Sequence, residues 1–251
     1  MYYYTCSPDW ESMLTCIYEA WSSRRGQQNI RLLTEPFEQF TLFDEYIHVD
    51  ADPVKATKVM DSVMSKVSVD FYNELAYASM AYEKDTLDTI FRVMMLGFAF
   101  GPKAINMVQY ENVMRFAAIR KRVGNESHHF REFIRFHEIR HSLYVAHIEP
   151  KSRIVISLGP SFADRMPSEN WMIVDDVHKE ALIHPADSQF YLRRLTDYEY
   201  DKLLLTENEN DEYTDMWKVF FDSIAIKERA NAKCQNNLFP IWTRKHAVEF
   251  I

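Results

Sequence analysis

Over the first 123 residues the apolar positions recur mostly at three- and four-residue spacing, the period of a helix with one buried face. Trp10, Met13, Leu14, Ile17, Tyr18 and Trp21 form one such face, and Ser7-Pro8 before it offers a capping side chain followed by proline at the first helical position. Asp52-Pro53 repeats that start signal for a helix ending near Val67. Further helices are predicted over 71–82, 87–100 and 104–123, with Gly97 marking a close packing contact and Gly101 a helix end. Residues 2–5, 30–33 and 46–49 read as short strands.

From Leu143 the period falls to two. Leu143, Val145 and His147 alternate with Tyr144, Ala146 and Ile148, and 153–157, 171–177, 181–184 and 190–195 read as further strands, broken by a short helix over 160–166. A last helix begins near Glu212, with Tyr213, Trp217, Phe220, Phe221 and Ile224 on one face; residues 207–211 read as an exposed acidic loop. The predicted class is α+β, mostly helical, with a small, largely antiparallel sheet in the second half that the N-terminal strand joins. The chain reads as a single domain, 1–251, with a subdivision between a mainly helical part (1–122) and a sheet-containing part with the C-terminal helix (123–251).

Composition narrows the class. A hydrophobic share of 47% is ample for a large core, and only five Gly and nine Pro argue against a loop-rich chain. No apolar run approaches the roughly 20 residues that span a bilayer, and Met1-Tyr-Tyr-Tyr-Thr-Cys6 lacks the basic-then-apolar order of a signal peptide. The expectation is a cytoplasmic protein with no membrane partner. Cys6, Cys16 and Cys234 are scattered, with no CxxC pair, so neither a disulfide framework nor a cysteine-ligated cluster is predicted, and no cofactor is implied. The net charge of −8 is uneven. Arg115 to His141 holds seven Arg/Lys against three Glu, Lys218 to Lys245 six against two acids, and Asp197 to Asp215 eight acids against one Lys. Local phosphate binding is compatible with the acidic total, because charges beyond a Debye length of about 8 Å are screened.

The candidate chemistry is sparse. His137-Glu138-Ile-Arg-His141 matches HExxH, in which two helical His four apart hold zinc and the Glu is general base. A strand pattern two residues later and Arg140 between the ligands disfavour a metalloprotease, although His147 or Glu149 offers a third ligand. Asp175 and Asp176 at a strand end are eligible as acid, base or metal ligand, or as caps of the sheet edge. Walker A, GxGxxG and GxSxG signatures are absent.

Three blocks carry a resemblance. The first is Ser7-Pro-Asp-Trp-Glu-Ser-Met-Leu-Thr-Cys-Ile-Tyr-Glu-Ala20 after the N-terminal strand. The second comprises Glu126, His128, Phe130, Phe133, Arg135 and Phe136, then Tyr144, Ala146, Ile148 and Pro150, then Phe162, Arg165, Trp171, Ile173 and Asp175. The third is Trp217, Phe220, Ile224-Ala-Ile-Lys-Glu-Arg229, Asn231, Gln235 and Pro240. Together they resemble an uncharacterised bacterial family of DNA-metabolism proteins, the domain associated with a radical-SAM protein related to spore photoproduct lyase. His129, Glu132 and the segment Ile241-Trp-Thr-Arg-Lys245 depart from the family pattern. In that family the HEIRH position looks like a variable helix end.

The resemblance implies a DNA repair or modification role in partnership with the radical-SAM protein. Three readings follow. In the first, the chain is an accessory protein that binds DNA through His128, Arg131, Arg135, Arg165, Lys227, Arg229, Asn231 and Gln235. In the second, it is a nucleotide- or DNA-processing hydrolase using Glu126, His128 and Asp175. In the third, it is a structural adaptor whose Arg and Asp residues pair internally.

Overall fold

The computed structural model describes residues 1–37, 42–139, 143–206, 212–224 and 231–247. The chain divides into two compact units, Met1–Val123 and Gly124–Ile251.

In the first unit, β1 (Tyr2–Cys6) lies between β2 (Ile30–Thr34) and β3 (Glu45–His48), and both pairings are parallel. Tyr4 stands opposite Leu32 on one side and Ile47 on the other. This corrects the expectation that the N-terminal strand joins the antiparallel sheet. Both edges of β1 are already taken by neighbours from its own unit. A parallel pair also needs a crossover of a dozen residues or so, and the 13-residue α1 (Trp10–Ser22) supplies it between β1 and β2.

The start of α1 lies two residues past the Ser7-Pro8 signal. Asp9 is the cap, its carboxylate accepting from the Ser12 N–H at 2.9 Å and the Ser12 hydroxyl at 2.7 Å, a stronger acceptor than a serine hydroxyl. Asp52 caps α2 (Pro53–Lys66) as predicted, accepting from the N–H groups of Val54 and Lys55. Ser68 caps α3 (Val69–Ala78), and α4 (Thr86–Phe100) ends on Gly101 at φ 75°, where a side chain would be strained. Arg92 on α4 ties that helix to the sheet: its guanidinium donates to the carbonyls of Gln27 and Ile30 and to Asp88, which accepts the Leu32 N–H.

Helix α5 (Glu111–Phe133) carries the chain across the division. It continues past the predicted end at 123, so the aromatic run from Glu126 to Phe133 is helical. The second unit is built on β4 (His137–Ile139), β5 (Leu143–Ile148), β6 (Asn170–Asp175), β7 (Glu180–His184) and β8 (Tyr191–Arg194), paired in that order. The β5–β6 pair is parallel and the other three are antiparallel. The chain is α+β, mainly helical with two small sheets.

The strand expected over 153–157 is instead the start of α6 (Val155–Arg165). Ile154, Val155 and Ile156 are β-branched, but Val155, Leu158, Gly159 and Phe162 recur at helical spacing and bury one face. Pairing β5 with β6 in parallel requires that crossover, so tertiary topology overrides the local β preference. Trp171 on β6 is fully buried. Its ring meets Phe136 and Phe162 edge-on and stacks on His184 at 4.7 Å. Helix α7 (Asp197–Thr206) was not predicted, and α8 (Glu212–Ile224) and α9 (Ala232–Leu238) complete the described elements. The loop predicted at 207–211 lies outside the described residues. Among those described, no helix is long and apolar enough to cross a membrane.

Gly97 is a packing contact, as expected. A Cβ there would lie 2.5 Å from the buried Phe71 ring of α3. Removing a mid-helix glycine gains about 0.5–1 kcal/mol, whereas overpacking costs about 1–3 kcal/mol, so the clash wins. Gly97→Ala is expected to lower stability by about 1–2 kcal/mol, read from the urea midpoint, and Phe71→Leu in the same chain should recover part of the loss. A variant as stable as the parent would refute the contact.

Candidate functional site

Because β5 and β6 run parallel, their carboxyl ends open on the same side of the second unit's sheet, the position where open sheets with crossover helices gather ligand-binding groups. His147 stands next to last on β5, and Asp176 follows directly after β6. His147 Nδ1 lies 2.8 Å from Asp176 Oδ1, and both side chains are almost fully buried. The second carboxylate oxygen, Oδ2, faces His246 Nε2 at 3.5 Å, and that nitrogen is 3.6 Å from Glu149 Oε1. Lys245 pairs with the same Glu149 oxygen, and the carboxylate holds the Lys245 ammonium above the usual lysine range. The ligand atoms of Glu149, Asp176 and His246 all lie within 4.8 Å of one another.

The loop that carries Glu149 is held from two sides. Glu126 of α5, itself buried, accepts the N–H groups of Lys151 at 2.6 Å and Ser152 at 3.3 Å through one oxygen. Arg153 reaches Glu180 of β7 at 2.6 Å. A Ser127–Ser157 hydroxyl contact of 2.9 Å fastens α5 to the crossover helix behind the loop.

The acid–base residues named from sequence are dispersed. Glu126 accepts two backbone amides, as described. His128 is exposed and pairs with Glu132 one turn on at 3.1 Å. Asp175 is fully buried and closes the turn after β6, accepting from the N–H groups of Val177 and His178 and lying 2.7 Å from the His178 ring. No hydrogen bond or ion pair joins these three among the described residues. His137 and Glu138 lie on β4, where successive side chains face opposite sides of the sheet, so the helical zincin arrangement is not formed there; His141 lies outside the described residues.

The basic segment also divides. Arg115, Arg120 and Arg122 pair with Asp85, Glu74 and Glu83 within the first unit. In the second unit Arg131 bonds its own helix at the Ser127 carbonyl. Arg135 donates to the carbonyls of Glu132 and Ile134 and sits 5.4 Å over the Trp217 ring. Arg165 is exposed beside Phe162 at 5.1 Å. Asn231 caps α9, accepting the Cys234 N–H, and Gln235 is exposed on that helix. Lys227 and Arg229 lie outside the described residues. A second cation–indole pair, Lys151 over Trp242 at 4.8 Å, carried no sequence signal.

The model of a domain of unknown function, DUF4130, matches residues 84–249. The chain belongs to the DUF4130 family. The match covers α4, α5 and the whole sheet of the second unit, including every residue of the His147–Glu149–Asp176–His246 cluster, while the parallel sheet of the first unit precedes it. No curated protein matches the chain. Of this cluster, His147 and Glu149 were visible in the sequence only as alternative third ligands for the HExxH motif, and Asp176 only together with Asp175 as an acid, base or metal ligand. His246 was not visible at all, since nothing local distinguishes a lone His after Arg244-Lys245.

Removing the Glu126 carboxylate strands two amides in a setting where an unmade hydrogen bond costs about 1–3 kcal/mol each. Glu126→Ala should cost about 2–4 kcal/mol by urea denaturation and speed hydrogen exchange at the Lys151 and Ser152 amides. Glu126→Gln, which keeps an accepting oxygen, should lose less than half as much. Unchanged exchange at both amides would exclude this role for Glu126.

Proposed function

We propose that this DUF4130 chain is a nucleic-acid-binding accessory protein for DNA repair or modification, with the second unit as the binding part and a radical-SAM protein as its partner. The observation that carries the DNA reading is the placement of cations over indoles. Arg135 lies over Trp217 and Lys151 over Trp242, and each Trp is 39% exposed. An exposed aromatic ring beside a fixed cation combines a stacking platform for a base with a partner for the adjoining phosphate, a pairing used for single strands. Phe220, tilted against Trp217 at 5.8 Å and half exposed, extends one of these platforms along α8. The radical-SAM partnership rests on the family resemblance and supplies the chemistry; presenting a strand is the part assigned to this chain.

Fluorescence anisotropy with labelled single- and double-stranded oligonucleotides across a salt series tests the reading. Wild type should bind the single strand with a Kd on the order of micromolar at low salt, falling steeply as salt rises. Arg135→Ala and Lys151→Ala should each reduce the salt slope by about one, and Trp217→Ala should weaken the single strand more than the duplex. Absence of binding at low salt would remove direct DNA contact. Retention of the radical-SAM protein on the tagged chain without DNA binding would leave the adaptor role in its place.

A further inference from the structure

We propose that Glu149, Asp176 and His246 form a binding site for one divalent cation of the zinc class. Four features of the cluster point there together. The first is distance. At 3.5 and 3.6 Å, the separations of His246 Nε2 from Asp176 Oδ2 and Glu149 Oε1 are too long for good hydrogen bonds. They fit neighbouring ligands of a tetrahedral metal, because two bonds of about 2.1 Å at the tetrahedral angle set their ends about 3.4 Å apart.

The second is orientation. Asp176 turns Oδ1 to the buried His147 and Oδ2 to His246, so His147 fixes the carboxylate and leaves the other oxygen aimed at the cluster. Outer partners of this kind set the direction of a metal ligand. The third is support. Glu149 rides on a loop pinned by Glu126 at Lys151 and Ser152 and by Arg153 on Glu180, so two of the three ligands come from segments fixed to the sheet.

The fourth is charge. Two carboxylates meet here, and the ammonium of Lys245 answers one of them at Glu149 Oε1. That ammonium stands in for a cation at the oxygen a metal would use. Lys245 is exposed and carries its charge on a flexible four-carbon stem, so a divalent ion can displace its ammonium to solvent. One imidazole and two carboxylates suit zinc or manganese better than calcium or magnesium, which favour all-oxygen sets. Three protein ligands leave a fourth position for water or an incoming group, the layout of catalytic rather than structural zinc sites. The site does not depend on DNA binding and is tested with the metal alone.

The full chain, stripped with EDTA and dialysed, is titrated with zinc chloride by calorimetry, and Co²⁺ is substituted for a spectroscopic readout. One zinc per chain is expected to bind, with a four-coordinate visible spectrum for the Co²⁺ form. Asp176→Asn and His246→Ala should each weaken zinc at least tenfold, and Lys245→Ala should tighten it severalfold by removing the competing ammonium. Glu149→Gln, at a partly exposed position, guards against a folding defect: it should weaken zinc while leaving the circular dichroism spectrum unchanged. The proposal is overturned if wild type takes up no zinc, if uptake is the same in Glu149→Gln and His246→Ala, or if Co²⁺ gives only the pale spectrum of a six-coordinate ion.

Discussion

The parallel pairing of β5 with β6 is the constraint on which the second unit depends. Parallel neighbours cannot be joined by a hairpin, so the chain must leave the sheet, cross one face and return. That requirement makes 155–165 a helix in spite of its β-branched start, and it lays α6 over the sheet, where Phe162 closes on Trp171. It also brings two carboxyl ends to one side. His147 and Asp176 are 29 residues apart in sequence and within hydrogen-bond distance in space because of that pairing.

Adjacent carboxylates then take different parts. Asp175 is the last residue of β6 and points into the turn, where two backbone N–H groups and the His178 ring surround it. Asp176 lies one residue beyond the strand and faces the other way, toward His147 and His246. Alternation along an extended chain separates them. A sequence reading that treats the pair as one candidate therefore mixes a turn-forming group with a site-forming one, and only the register against β5 and β7 tells them apart.

What was legible follows the same logic. Helices of the first unit were readable because each carries its own amphipathic period, and Asp52-Pro53 marks the start of α2. The strand 143–148 was readable from alternation and those at 170–175 and 180–184 from short apolar runs, yet their parallel or antiparallel sense was not, since a strand's side-chain pattern is the same in either direction. The error over the N-terminal strand has that origin: Tyr2 to Cys6 is plainly extended, but which sheet it enters is decided by where α1 returns the chain. Basic runs misled in part for a related reason. Arg115, Arg120 and Arg122 look like a cationic stripe, while their acid partners Asp85, Glu74 and Glu83 lie 30 to 46 residues earlier.

The cluster at the carboxyl ends was hidden by the same long-range dependence, and its chemistry is better understood from how its charges are arranged than from any one residue. A buried carboxylate is costly unless hydrogen bonds or cations answer it. Asp176, nearly buried, is answered on one oxygen by an imidazole, and the partly exposed Glu149 by an ammonium from the far end of the chain. A bidentate guanidinium satisfies a carboxylate with two parallel hydrogen bonds, as Arg115 does for the exposed Asp85 in the first unit. Here the answering cation is instead a single flexible lysine, with an imidazole beside it at ligand distance. Groups held by an exchangeable cation keep their geometry while remaining available to a stronger one, and that availability separates this cluster from a two-bond guanidinium pair such as Arg115 with Asp85.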